Sequence, residues 1–247
     1  MNTKIFAHRG AAGYAPENTL EAFELAVKMS AHGIELDVHI SKDGELVVTH
    51  DEQIERVSNG FGYVKDLTLR ELKALDFNRT HPEYLHAKIP TLKEVLELIA
   101  PTDLEINIEL KNSLIEYPDL ERRVVDLAAG MIPFDRIIFS SFNHQSMVRM
   151  KELDSQLYCG LLYEASLIQP WKYAKKYQMD ALHPHYSQVI TPGGFCRDVH
   201  DYGIQVNTWT VDEELDIHKT LEQGVDILIT NYPDRAIKIY SIMREVF

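Results

Sequence analysis

Short apolar segments alternate with amphipathic ones along almost the whole chain. Lys4–Ala7 reads as a strand, and Asn18–Ser30 as a helix with Leu20, Phe23 and Val27 spaced along one face. Gly33–Ile40 is the next strand, after which Lys42-Asp43-Gly44 supplies the turn for a hairpin into Leu46–Thr49. Pro90 and Thr91 mark the start of a helix over Thr91–Ile99. The beat then continues with strands at Leu104–Leu110, Arg136–Ser140, Leu157–Leu161, Asp180–His183, Ile204–Thr208 and Asp226–Thr230. Between and after them lie helical patterns at Leu120–Ala129, Gln145–Leu153, Gln169–Tyr177, Thr191–Asp201, Glu213–Glu222 and Asp234–Arg244.

The main units make eight strand–helix pairs in 247 residues, about 31 residues each, the repeat length of a TIM (β/α)8 barrel. An open doubly wound sheet is the α/β rival, but it would use about five to seven strands in this length. Gly and Pro are scattered singly and no linker breaks the pattern, so 1–247 reads as a single domain. The segment 51–90 is too long for a βα loop of about 2–6 residues. It carries a Ser58-Asn59-Gly60 turn and a short helix over Thr68–Leu75, opened by the Thr68-Leu69-Arg70-Glu71 capping pattern. It is expected to be a small insertion after the second strand that covers part of a cleft at one end of the barrel.

A hydrophobic fraction of 45% and a charged fraction of 26% belong to a globular chain, not a disordered or membrane-embedded one. The net charge of -13 argues against nucleic acid and against stable association with anionic membranes. Cys159 and Cys196 fit no metal spacing and are expected to be buried, unpaired thiols. No apolar signal segment precedes the first strand, so a cytoplasmic location is expected; on the same ground the Asn78-Arg79-Thr80 sequon carries no weight. Homo-oligomerisation is left open. Gly10-Ala11-Ala12-Gly13 is not a dinucleotide fingerprint.

In a parallel barrel, side chains at the C-terminal strand ends converge on the active site. The first strand ends in His8-Arg9-Gly10. The second carries Glu35 and Asp37, two apart and so on one face, and the hairpin strand ends in His50-Asp51. The next barrel strand carries Glu109 and Lys111, again on one face. Two acids on one face of an otherwise apolar strand repel each other and lose hydration, and a bound cation relieves both. All-oxygen ligation by Glu35, Asp37 and Glu109 favours a hard divalent ion, Mg²⁺ or Ca²⁺, over zinc. Arg9 and Lys111 then tip the pocket positive for an anionic substrate, with Arg9 able to grip phosphate in bidentate fashion. Two histidines, His8 and His50, suit acid–base work near neutral pH. Together these groups point to phosphoester cleavage.

The sequence resembles the glycerophosphodiester phosphodiesterase family over nearly its whole length. The resemblance rests on an ordered set of motifs that opens with His8-Arg9-Gly10, Pro16-Glu17-Asn18-Thr19 and Glu35-Leu36-Asp37-Val38. Asp43-Gly44, Val47-Val48-Thr49-His50-Asp51, Ile89-Pro90-Thr91-Leu92, Ile108-Glu109-Leu110-Lys111 and Ser140-Ser141-Phe142 follow. The set closes with Asn207-Thr208-Trp209-Thr210-Val211-Asp212, Gly224-Val225-Asp226 and Thr230-Asn231-Tyr232-Pro233. The resemblance implies a TIM barrel with a small insertion after the second strand. It implies hydrolysis of deacylated phospholipids such as glycerophosphocholine or glycerophosphoethanolamine to glycerol 3-phosphate and an alcohol. It also implies metal ligation by Glu35, Asp37 and Glu109, acid–base roles for His8 and His50, phosphate binding by Arg9 and Lys111, and support from Glu17 and Asn18.

In the expected reaction the neighbouring glycerol hydroxyl attacks phosphorus with the advantage of an intramolecular step, and a cyclic phosphate is then opened by water. His8 takes the hydroxyl proton and His50 gives one to the leaving alcohol. Phe142 and Trp209 either contact glycerol or a choline head or pack the barrel mouth. His183 and His185, flanking Pro184, are further candidates for ligand contact. The rivals are a lysophospholipase D-type phosphodiesterase and a catalytically silent phosphodiester-binding module.

Overall fold

The computed structural model describes residues 2–191 and 193–246. Its strands are β1 (Lys4–His8), β2 (Gly33–Ile40), β3 (Leu46–Val48), β4 (Glu105–Leu110), β5 (Ile137–Ser141), β6 (Tyr158–Tyr163), β7 (Ala181–Pro184), β8 (Gln205–Thr208) and β9 (Ile227–Thr230). Eight of them run parallel, and the sheet closes into a barrel because β1 pairs with β9 on one side and β2 on the other. That closure removes the open-sheet rival. The extra strand is β3, which runs antiparallel on β2 with Val38 opposite Val48 and Ile40 opposite Leu46.

The helices are α1 (Leu20–Lys28), α2 (Leu69–Ala74), α3 (Leu92–Ile99), α4 (Leu120–Ala129) and α5 (His144–Leu153). After them come α6 (Pro170–Lys176), α7 (Tyr186–Val189), α8 (Phe195–His200), α9 (Glu214–Glu222) and α10 (Pro233–Val246). Two expected helices are shorter than their patterns. α1 starts only at Leu20, because Asn18 sits in the left-handed region at φ 57° and the Thr19 side chain caps the helix by accepting from Ala22 N. The pattern at Thr191–Asp201 yields only α8, since Gly194 at φ 76° breaks helical geometry just before it; Pro192, within that pattern, lies outside the described residues.

Strand alternation divides the core into two layers. Ile34, Leu36 and Val38 of β2, with Ile106, Ile108 and Leu110 of β4, face outward and pack with Phe23, Leu96 and other helix residues. Each such side chain, buried from water, contributes about 1.5–3 kcal/mol. The intervening residues face into the barrel, where Phe6, Ile138, Ile227 and Ile229 form an inner apolar cluster. Gly33 is needed there: a Cβ on it would lie 2.6 Å from the Phe6 ring. Both layers together leave the inward positions nearest the C-terminal strand ends for polar side chains.

Within 51–90, Ile54, Val57, Val64, Leu72 and Phe77 form their own apolar cluster with Val47 of β3 and Ile89. Thr68 and Glu71 make a reciprocal capping box at the start of α2, and Asn59 Oδ1 accepts from Asp76 N across the segment. This cluster seats the segment beside β3 and next to His50. Among the described residues no helix is long and apolar enough to cross a membrane, and Cys159 and Cys196 are free and buried.

Candidate active site

The register of three strands assembles the acids. Asp37 of β2 lies opposite Glu109 of β4, and His8 at the end of β1 lies opposite Glu35. Oxygen atoms of Glu35, Asp37 and Glu109 all fall within 4.8 Å of one another, and the three residues are 4%, 0% and 7% exposed. Burial drives Glu35 well above the usual carboxylate range, and the charges of Asp37 and Glu109 push it further. Burial also raises Glu109, although the Lys111 ammonium works against it. Asp37 is the exception: burial would raise it, but the charges of Lys111, His50 and Arg9, with a 2.8 Å hydrogen bond from Asn18 Nδ2, hold it low. Its Oδ1 is buried without a hydrogen-bond partner. Three crowded acids, one orphaned oxygen and one carboxylate driven toward protonation fit a divalent ion bound by oxygen ligands.

The two histidines face one cavity together with Arg9, Glu35, Asn107 and Glu109. They are held differently. Asn231 Nδ2 donates to Asp212 Oδ2 (2.7 Å) and Asn231 N to Asp212 Oδ1 (2.9 Å), which turns Asn231 Oδ1 toward the ring of His8. His8 Nδ1 donates to that oxygen at 2.8 Å, so its proton sits on Nδ1 and Nε2 keeps a lone pair. Burial, with the nearby Arg9 charge, lowers His8 to about 4 and keeps it neutral at pH 7. His50 instead donates from Nδ1 to Asp51 Oδ1 at 2.5 Å, and Asp51 is bound in turn by Arg56. Burial would raise the Asp51 carboxyl, but its bonds to His50 and Arg56 keep it strongly acidic. Buried His39 secures the His50 backbone: its Nε2 donates to His50 O (3.1 Å) while its Nδ1 accepts from Tyr117 Oη (3.0 Å).

Arg9 adopts φ 52°, a left-handed conformation that costs a non-glycine residue about 1–3 kcal/mol and recurs at functional sites. It is held there by its N–H, which donates to Glu35 Oε2 at 3.0 Å, and by Nη1, which donates to Glu17 Oε1 at 2.7 Å. Arg9 Nε lies 3.4 Å from Asp37 Oδ2. Lys111 Nζ donates to Glu109 Oε1 at 2.8 Å and lies 3.6 Å from Asp37 Oδ1. Both expected phosphate binders are therefore engaged by acids. The expectation that they tip the pocket positive counted neither Glu17, which faces Arg9, nor Arg56, whose guanidinium offsets the Glu17 charge.

Across the cavity stand Phe142, Leu162, Trp209 and Ile229. Phe142 and Trp209 meet edge to face at 5.5 Å, and Trp209 Nε1 donates to His183 O. His183 is 1% exposed and lies inside the barrel, where its Nε2 accepts from Asn207 Nδ2; His185 packs against the outer edge of Trp209. Neither is among the described residues that line the cavity. Sequence reasoning missed Asp51, Asp212 and Asn231 as orienting groups, although all three stand inside the motifs quoted above. Arg56, His39 and Tyr117 had no such signal, because only tertiary contact brings them to His50.

The model of the Glycerophosphoryl diester phosphodiesterase family matches residues 8–235 of the chain. A "Glycerophosphodiester phosphodiesterase" of Caldanaerobacter subterraneus subsp. tengcongensis is 40% identical over 240 residues, covering 97% of this chain and 98% of that protein. One from Bacillus altitudinis is 40% identical over 244 residues, covering 98% and 100%. Among solved structures, an Oleispira antarctica phosphodiesterase in complex with the product sn-glycerol-3-phosphate superposes with a TM-score of 0.87 at 30% identity, covering 96% of each chain. Fold, motifs and relatives agree: this chain belongs to the glycerophosphoryl diester phosphodiesterase family, whose members are phosphoric diester hydrolases.

Proposed function

We propose that this enzyme hydrolyses glycerophosphodiesters, such as glycerophosphocholine and glycerophosphoethanolamine, to sn-glycerol 3-phosphate and an alcohol. The observation that carries the reading is the unequal support of two imidazoles on one cavity: His8 is held by a neutral amide and His50 by a carboxylate. A carboxylate that holds Nδ1 aims Nε2 and offsets the charge of a ring that delivers a proton, whereas the amide leaves neutral His8 with a free lone pair on Nε2, which can accept. His8 is accordingly the base and His50 the acid.

In the first step the glycerol hydroxyl next to the ester attacks phosphorus and gives its proton to His8 Nε2. The bond from phosphorus to the leaving alcohol breaks, and His50 Nε2 protonates that oxygen. In the second step water attacks the cyclic phosphate, giving its proton to the now neutral His50. The ring P–O bond breaks, and His8 returns the proton to the glycerol oxygen. Attacking and leaving oxygens lie roughly in line, so the alcohol departs on the His50 side. There a depression of ≈ 1040 Å³, bordered by Asp51, Arg56, Tyr63 and Leu114, gives it a way out. Arg9 and Lys111 bind the phosphoryl oxygens.

Glu35, Asp37 and Glu109 would hold a divalent ion, Mg²⁺ or Ca²⁺. When bound, that ion supplies Lewis-acid stabilisation of negative charge and releases Arg9 and Lys111 from part of their acidic surroundings. A coupled assay for glycerol 3-phosphate over several glycerophosphodiesters, with and without EDTA, tests both parts. Turnover lost on chelation and restored by Mg²⁺ or Ca²⁺, with calorimetric binding of one ion per chain, is expected. Undiminished turnover after thorough chelation removes the metal, and no glycerol 3-phosphate from any diester removes the activity. The free buried thiols suit a reducing cytoplasm.

A further inference from the structure

Arg56 lies in the loop after β3, outside every motif, yet its guanidinium joins two loops that are distant in sequence. Its Nε donates to Asp51 Oδ2 at 2.6 Å, while Nη1 and Nη2 donate to Glu17 Oε2 (2.6 Å) and Oε1 (2.8 Å). Each carboxylate passes the constraint inward. Asp51 uses its other oxygen to hold the Nδ1 of His50, and Glu17 uses Oε1 to hold Nη1 of Arg9. A single planar cation therefore backs both the imidazole and the guanidinium of the cavity.

Stability alone is a poor reason for this arrangement. The Arg56 side chain is 44% exposed, and exposed ion pairs contribute only about 0–1 kcal/mol. Geometry is the better reason: a guanidinium presents donors at fixed angles, so it can set two carboxylates relative to each other, which a lysine ammonium cannot do. Without it, Asp51 is free to leave His50, and the imidazole can turn its Nε2 away from the reacting oxygen.

We propose that Arg56 is a positioning residue that aims His50 at the leaving alcohol through Asp51. The inference rests on reading His50 as the proton donor, and its test keeps the two apart. Two substrates are compared, glycerophosphocholine, whose alcohol needs a proton to leave, and glycerol 3-(p-nitrophenyl phosphate), whose phenolate does not. Release of choline or p-nitrophenol is measured in single turnovers, before the cyclic phosphate opens, for the wild type, His50→Ala, Arg56→Ala and Arg56→Lys, with folding checked by circular dichroism and thermal melting.

Loss of His50 should slow the choline ester far more than the aryl ester. Arg56→Ala should repeat that selectivity at smaller size, about 10–100-fold on the choline ester and under about 3-fold on the aryl ester. Arg56→Lys should recover only part of the loss, and it carries the same comparison if Arg56→Ala does not fold. Equal losses on both esters in the Arg56 variants, beside a selective loss in His50→Ala, overturn the positioning role alone. Equal losses in His50→Ala overturn the donor assignment, and this proposal with it.

Discussion

The two walls of the cavity are built from different parts of the barrel and carry opposite chemistry. One wall, from β1, β2, β4 and the loop after β3, supplies Arg9, Glu35, His50 and Glu109, with Asp37 and Lys111 close behind. The other, from the ends of β5, β6, β8 and β9, supplies Phe142, Leu162, Trp209 and Ile229. The lesson is a division of labour. Charged groups act more strongly on phosphorus where an apolar surface keeps water from the opposite side. The apolar wall has polar backing of its own kind: behind it Ser140 Oγ, His183 Nδ1 and Asn207 Oδ1 are buried with no hydrogen-bond partner.

The sharpest way to break this contrast is to remove one acid from the charged wall. Asp37→Asn keeps the shape but deletes the carboxylate that Lys111, Arg9 and Asn18 all face. Losing a ligand worth several kcal/mol of charge stabilisation should cost about 10³-fold or more in turnover. Divalent-ion binding by calorimetry should weaken in parallel. Retention of both would mean that the acids are merely a buried ion-pair cluster around Lys111 and Arg9.

Within the charged wall, the next largest effect separates the two histidines. His8→Ala should lose about 10²–10⁴-fold on glycerophosphocholine. Unlike His50→Ala, it should lose a similar factor on the p-nitrophenyl ester, because the attacking hydroxyl must shed its proton whatever group leaves. A selective loss on the choline ester in His8→Ala would instead give His8 the donor role and exchange the two assignments.

Much of the charged wall was legible because it obeys a simple period. Glu35 and Asp37 sit two apart between outward-facing Ile34, Leu36 and Val38, and Glu109 repeats the pattern in the neighbouring strand. Strand alternation alone puts such residues on the inner face. The support behind that wall was not legible. Nothing local ties Arg56 to Glu17 across 39 residues, or Tyr117 to His39 across 78; only barrel closure and the seating of 51–90 bring them together. The pairing of Glu17 with Arg9 and Arg56 was hidden for the same reason, since Glu17 and Arg56 enter the site from loops and not from strands. Helix limits slipped where single residues took left-handed backbone, at Asn18 and Gly194.

The smallest expected effect tests the other side of the barrel and should leave catalysis alone. His183 is buried among β6, β7 and β8; Gly160 leaves room for its ring, since a Cβ there would lie 2.2 Å from His183 Nε2. Burial lowers its pKa from 6.5 to about 3, and none of the ion pairs among the described residues involves it. The unfolded chain therefore takes up a proton near pH 6.5 that the folded protein refuses until about pH 3. The stability His183 brings by staying neutral is full above pH 6.5 and drains as the pH falls through that window, by about 1.4 kcal/mol per pH unit. In His183→Gln the side chain can still accept from Asn207 but has nothing to titrate. Urea unfolding at pH 6.5, 5.5 and 4.5 should show a slope shallower than the wild type by one proton, with turnover at pH 7 within about 2-fold. Parallel slopes would mean that His183 is protonated in the folded barrel, and the apolar wall would then have a charge behind it after all.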